Sequence, residues 1–186
     1  IATMAKGYSQ HIRRQPLTFY AGQSGYDLIK GIIDKYSMHE QAEVCLIKPY
    51  CEFETQGYKV FPIPAKHAPS SFPFLFRIEK DKKSMLFGND TGYFSDEMIY
   101  ALQKMGKIDL ISLDATIKKS NKETSHHMDY QTAKDLFFKL KECKIAGDDT
   151  IKVVNHFSHN NSATYDDLKA VADKDGIIVS YEGLEI

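Results

Sequence analysis

Four short polar segments stand where apolar, strand-like runs end. They are Lys66-His67-Ala68, Gly88-Asn89-Asp90-Thr91-Gly92, His126-His127-Met128 and Asn155-His156-Phe157-Ser158-His159. Each offers an imidazole or a carboxylate in a loop borne by a rigid scaffold, where chemistry concentrates. Histidine and aspartate together form the ligand set of zinc, manganese and iron(II) hydrolase sites.

Each residue has a chemical reading and a plainer one. Gly88 and Gly92 around Asp90 predict a tight turn with torsions that other residues resist. A carboxylate there could bridge two cations, or simply close an Asx-turn or cap the helix that follows. His156 follows Ile151-Lys152-Val153-Val154 after Asn155, with His159 three residues on beside Asn160 and Asn161; these are metal ligands or structural histidines. His67 follows a stiff Pro-Ile-Pro approach and carries the same two readings. His127 precedes a helix expected from Asp129, whose N-terminal dipole favours a neutral imidazole fit for acid–base work. His126 reads as a solvated neighbour.

The elements that must position these groups follow from hydrophobic period. An amphipathic helix is expected over 2–14, ahead of Pro16. Leu17–Tyr20 reads as a strand, and Ser24 as the cap of a helix bearing Leu28, Ile29, Ile32 and Ile33. Strands follow at 44–48, 50–54 and 58–63, then a hairpin of 74–78 and 84–87 around a polar turn at 79–83. The second half alternates: helix 95–105, strand 108–113, helix 129–143, strand 151–154, helix 162–173 and strand 177–180. An antiparallel-looking start passing into α/β alternation fits two sheets packed face to face with helices outside.

The chain of 186 residues is the size of one domain, and its 11 Phe and 11 Tyr supply a core. Lys plus Arg, 24, nearly cancels Asp plus Glu, 25, so no global positive field recruits nucleic acid or an anionic membrane. The local basic groups, His11 with Arg13 and Arg14, and Lys118, Lys119 and Lys122, read as solvated surface. Cys45, Cys51 and Cys143 are odd in number and lack C-x-x-C spacing, which implies reduced, buried thiols in a cytoplasmic protein. No apolar run is long enough to span a bilayer.

Taken in order, the four segments resemble the metallo-β-lactamase-fold hydrolases, and most of all the branch of ribonuclease Z and the phosphoribosyl cyclic phosphate phosphodiesterases. The resemblance implies a four-layer αββα sandwich over residues 1–186. It implies His67, Asp90 and His156 as metal ligands, with Asp90 bridging two divalent ions, zinc or manganese or iron. It implies His127 as the catalytic histidine, His159 and Asn160 against substrate, and Thr91, Asp114 and Ser158 as supporting residues behind the ligands. The implied reaction is hydrolysis of a small cyclic or nucleotide-derived phosphodiester by a metal-bridging hydroxide, in a protein that forms homodimers. Thioester, lactone or lactam hydrolysis on the same fold is the alternative, and a metal-free scaffold module is a third reading.

One signature of the family, His-x-His-x-Asp-His, does not occur in the sequence. It normally lies just upstream of a helix like 2–14, so the chain reads as an N-terminally incomplete sandwich, its carboxy-terminal three-quarters. A catalytic metal keeps about three protein ligands. Sharing Asp90, His67 and His156 leaves two per ion, so weak metal binding, little hydrolysis and an exposed sheet edge are expected of this chain alone.

Overall fold

A computed structural model describes residues 15–68, 71–158 and 163–186. The expected helix over 2–14, the basic group at His11, Arg13 and Arg14, and the candidate substrate residues His159 and Asn160 lie outside the described residues.

The described residues open with β1 (Leu17–Ala21), α1 (Gln23–Lys35) and β2 (Ala42–Leu46). A meander follows: β3 (Phe53–Thr55), β4 (Tyr58–Pro64), β5 (Phe74–Lys80) and β6 (Lys83–Gly88). Then helices and strands alternate as α2 (Asp96–Lys104), β7 (Leu110–Asp114), α3 (Tyr130–Glu142), β8 (Ile151–Asn155), α4 (Tyr165–Asp175) and β9 (Ile178–Val179). Strands β3 to β9 form one seven-stranded sheet in sequence order, and β1 and β2 form a second sheet.

Local chemistry explains the pairing. Gln56 and Gly57 (φ 49° and 78°) and Asp81 and Lys82 (φ 50° and 63°) make two-residue turns with both residues left-handed. Such turns match the twist of antiparallel strands, so β3 to β6 fold back on one another. The second turn is tighter than the expected 79–83, because Glu79 and Lys80 pair with Ser84 and Lys83. From β6 onward each connection contains a helix, and β6, β7, β8 and β9 pair in parallel. The first pair departs from expectation: β1 and β2 are parallel, because α1 forms the crossover between them. Ser24 does not cap α1 either. Gly22 holds the N-cap position, and the Ser24 hydroxyl donates to the Ser71 carbonyl at 2.7 Å.

Register sorts the faces of the large sheet. Ile63, Leu75, Leu86, Ile111, Leu113 and Val154 join Met98, Leu102, Leu136, Leu140 and Ala172 in one buried core, so α2, α3 and α4 cover this face. On the opposite face Phe53 stacks on Tyr20 of β1 with ring centroids 4.6 Å apart, and the Phe74 ring packs against Gly22. Beyond the small sheet, α1 packs through Ile33 with Met38 and Ala42. The layers therefore run helix, sheet, sheet, helix, as expected for the αββα sandwich. Through these contacts the small sheet packs on the β3–β5 part of the opposite face. Beyond it Met85, Phe87, Leu110 and Val153 line an open cleft with Tyr181, Leu184 and Ile186. The thiols correct another expectation: Cys45 and Cys51 are exposed, because their short strand and loop carry little cover.

Candidate metal centre

Strands β4, β6, β7 and β8 point the same way, since β5 reverses direction between β4 and β6. Their carboxyl ends therefore deliver His67, Asp90, Asp114 and His156 to one end of the sheet, the usual place for ligands in α/β proteins. His127 arrives differently. It stands in the long β7–α3 connection, next to the N-cap of α3, and not at a strand end as its segment first reads. Asp129 is that cap, accepting from the Thr132 amide.

The Asp90 carboxylate is the meeting point. Its Oδ1 lies 3.4 Å from His67 Nε2, 3.7 Å from His127 Nδ1 and 3.9 Å from His156 Nε2. His67 Nε2 and His127 Nε2 face each other at 3.3 Å. Ligand atoms bound tetrahedrally at about 2.0–2.1 Å from zinc stand roughly 3.3 Å apart, so the cluster has the spacing of a metal cage. Asp90, Asp114, His127 and His156 each offer an atom within 4.8 Å of the others.

Asp114 lies deeper and is fully buried. One oxygen accepts from the Thr116 and Met128 amides, both at 3.0 Å. The other accepts from the Thr91 amide at 3.3 Å, from the Thr116 hydroxyl at 3.0 Å and from His127 Nδ1 at 3.0 Å. Burying this carboxylate is affordable only because its lone pairs are so fully used. With Nδ1–H donated to Asp114, His127 turns the lone pair of Nε2 toward His67. Two imidazoles that meet through Nε2 suit a cation or a shared proton.

The glycines beside Asp90 act otherwise than expected. Asp90 itself is left-handed, at φ 58°, while Gly88 and Gly92 are not. Gly92 is required by close approach: an added Cβ would sit 2.2 Å from the Ser125 carbonyl oxygen. Gly88 lets β6 approach β7, where a Cβ would meet Leu113 Cδ2 and the Ser112 carbonyl at 3.0 Å. Asp90 is not the cap of α2, since the Ser95 hydroxyl fills that role for the Met98 amide.

Thr91, expected behind the ligands, is fully buried there. Its amide donates to Asp114, and its hydroxyl accepts from the Lys66 amide at 3.0 Å, tying the His67 loop to the Asp90 turn. Ser158 follows His156 by two residues and is half-buried. His126 is exposed as expected, its ring edge-on to His67 at 6.1 Å between centroids.

Sequence reasoning missed two residues. The Thr116 hydroxyl lies 2.6 Å from both His156 Nδ1 and the His156 carbonyl, orienting that ring. Its place directly past the Asp114 strand end was the available signal. Lys66 Nζ donates to the carbonyls of Lys122 and Glu123 at 2.7 and 2.5 Å, pinning the connection that carries His127. Nothing in local sequence links positions so far apart.

The family model described as the beta-lactamase superfamily domain matches residues 3–154, and the chain belongs to that family. Solved structures agree on the metallo-β-lactamase fold. A diphosphatase of the PhnP family superposes with a TM-score of 0.70 at 18% identity, over 99% of this chain and 63% of its own. The metallo-β-lactamase-fold protein YhfI from Bacillus subtilis gives 0.69 at 15%, over 98% and 68%. Zinc-bound PqqB from Methylobacterium extorquens gives 0.66 at 16%, over 98% and 66%. The chain thus spans about two thirds of the length of these structures. No curated protein matches its sequence.

Proposed function

We propose that this domain serves a metal-dependent hydrolase acting on a small cyclic or nucleotide-derived phosphodiester. The observation that carries the reading is the convergence of His67, His127 and His156 on Asp90 Oδ1, with His127 backed by the buried Asp114 carboxylate. The similarity to a PhnP-family diphosphatase supports a phosphoryl substrate.

His67, Asp90 and His156 would hold the divalent metal, zinc, manganese or iron. Ions bound there supply a water activated near neutral pH and a polarised phosphoryl oxygen. Asp114 fixes His127 in the tautomer that keeps Nε2 toward the cluster, and Thr116 orients His156. His127 carries a proton to the leaving oxygen as the ester bond breaks. His159 and Asn160 contact the substrate.

The test is His127→Ala, assayed with divalent metal in excess on bis-p-nitrophenyl phosphate and on a thioester, with bound metal measured in parallel under the same excess. Turnover of the phosphodiester should fall about a hundredfold or more while metal content holds. Equal loss of both makes His127 a ligand, and cleavage of the thioester alone replaces the substrate class. Sharing Asp90 gives each ion two of these ligands, so the 186-residue chain should lose its metal on dialysis. Two tightly held ions per chain would overturn that expectation.

A further inference from the structure

Two histidines of the cluster turn Nδ1 toward the same buried carboxylate oxygen. His127 Nδ1 reaches Asp114 Oδ2 directly, at 3.0 Å. His156 Nδ1 stands farther off, at 3.4 Å, and the Thr116 hydroxyl touches both groups. It lies 3.0 Å from Asp114 Oδ2 and 2.6 Å from His156 Nδ1. Local sequence puts it there. Asp114 Oδ1 accepts from the Thr116 amide two residues on, at 3.0 Å, in an Asx-turn. That turn carries the hydroxyl back to the other carboxylate oxygen.

Proton bookkeeping then fixes the ring. A hydroxyl has one proton to donate and two lone pairs. Its oxygen neighbours are Asp114 Oδ2 and the His156 carbonyl at 2.6 Å, and the anionic carboxylate is the stronger acceptor. The proton goes to Asp114, which leaves a lone pair to accept from His156 Nδ1–H. The far side of the ring agrees. His156 Nε2 lies 3.9 Å from Asp90 Oδ1, beyond hydrogen-bond reach, so Asp90 draws no proton to that nitrogen.

We propose that Thr116 is a positioning residue that passes the Asp114 carboxylate on to His156, so that one buried anion sets the tautomer of both His127 and His156. Each ring keeps its proton on Nδ1 and leaves the Nε2 lone pair free, at His156 for a divalent cation and at His127 for the travelling proton. Histidine ligands of metals are commonly held by such a partner on the second nitrogen. The two roles rest on the proposed hydrolytic function; the two tautomers rest on the hydrogen bonds alone.

Nitrogen-15 NMR of the 186-residue chain in EDTA reads the tautomers at about pH 8, above the ordinary histidine pKa of about 6.5. In the parent, His127 and His156 should both show a protonated Nδ1 and an unprotonated Nε2. Thr116→Val keeps the shape of the side chain and removes the hydroxyl. It should move the His156 proton to Nε2 and leave His127 unchanged, because that ring meets Asp114 directly. Thr116→Ser should restore the parent pattern. Zinc titrated calorimetrically into the three chains should bind about 10–100-fold more weakly to Thr116→Val, and as in the parent to Thr116→Ser. Equal disturbance of both rings would make Thr116 a packing residue and overturn the relay. An unchanged His156 spectrum or an unchanged zinc affinity in Thr116→Val would overturn it too. Should Thr116→Val not fold, the parent spectrum decides: His156 protonated on Nε2 refutes the proposal. The nitrogen shifts are read without metal or substrate, so their failure removes the relay and leaves the hydrolytic function standing. A parent chain that cleaves no phosphodiester under excess metal would do the reverse.

Discussion

Asp90 and His156 hold left-handed backbone, at φ 58° and 64°. For a residue with a Cβ this conformation costs about 1–2 kcal/mol, least for aspartate and asparagine. Such strain persists only where surrounding bonds over-determine it. At His156 one such bond is visible: the Thr116 hydroxyl, which donates to Asp114, lies 2.6 Å from the His156 ring Nδ1 and can accept from it. The stored strain predicts that His156→Gly will be more stable than His156→Ala by about 1 kcal/mol, since glycine adopts the torsion freely. Urea melts of the two variants measure this, and an alanine variant as stable as the glycine one would show that no strain is stored there. The sequence named both residues through their type and position, and it also implied a special turn near Asp90. It assigned the unusual torsions to the flanking glycines, because glycine is the residue whose composition advertises them. The aspartate hides the same conformation behind an ordinary side chain.

The connection between β7 and α3 brings His127 to the cluster without regular structure of its own, so its shape depends on a few fixed points. Lys66 binds two of its carbonyls, Ser120 donates to Asp129 at 2.6 Å, and Gly92 lets Ser125 press against the Asp90 turn. Gly92→Ala would drive a Cβ into the Ser125 carbonyl oxygen, so this variant should lose about 1–3 kcal/mol and move His127. Gly31→Ala, in the interior of α1 with open space around it, should instead gain about 0.5–1 kcal/mol. Denaturation of the two variants, with the His127 imidazole resonances followed by NMR, separates a packing role for Gly92 from a general glycine effect. Equal behaviour of the two would refute it. The strands and the three later helices were legible from period and caps, within a few residues at each end. The parallel pairing of β1 with β2 was not, because short apolar strands look alike and only the crossover through α1 decides direction. The Lys66 clamp was illegible for a related reason: it joins residues that are neighbours only after folding.

Across the whole molecule, charges nearly balance, so acid stability rests on particular carboxylates and less on overall repulsion. Asp175 ties α4 to α3, accepting from Lys134 at 2.6 Å and Tyr130 at 2.8 Å. Asp135 binds Lys122 at 2.6 Å, joining α3 to the His127 connection. Asp109 accepts from the Ser84 amide at 2.8 Å, joining the start of β7 to β6. In each the carboxyl pKa is held below its ordinary value: by Lys134 and then Tyr130 at Asp175, by Lys122 at Asp135, and by the Ser84 amide at Asp109. The folded state binds these protons less readily than the unfolded chain does. Their stabilisation is therefore complete above the ordinary carboxylate pKa, about 3.9, and is lost as pH falls from there through the lowered folded values. Unfolding free energy should be insensitive to these groups between pH 7 and 5 and fall steeply below about pH 4. Asp175→Asn should lower stability at neutral pH and make the acid slope shallower, because one of the linked protons is gone. Urea melts of parent and variant at a series of pH values measure both effects. Parallel pH profiles would mean that the carboxylate joining the two helices contributes nothing to the acid transition, and that the loss must begin elsewhere in the fold.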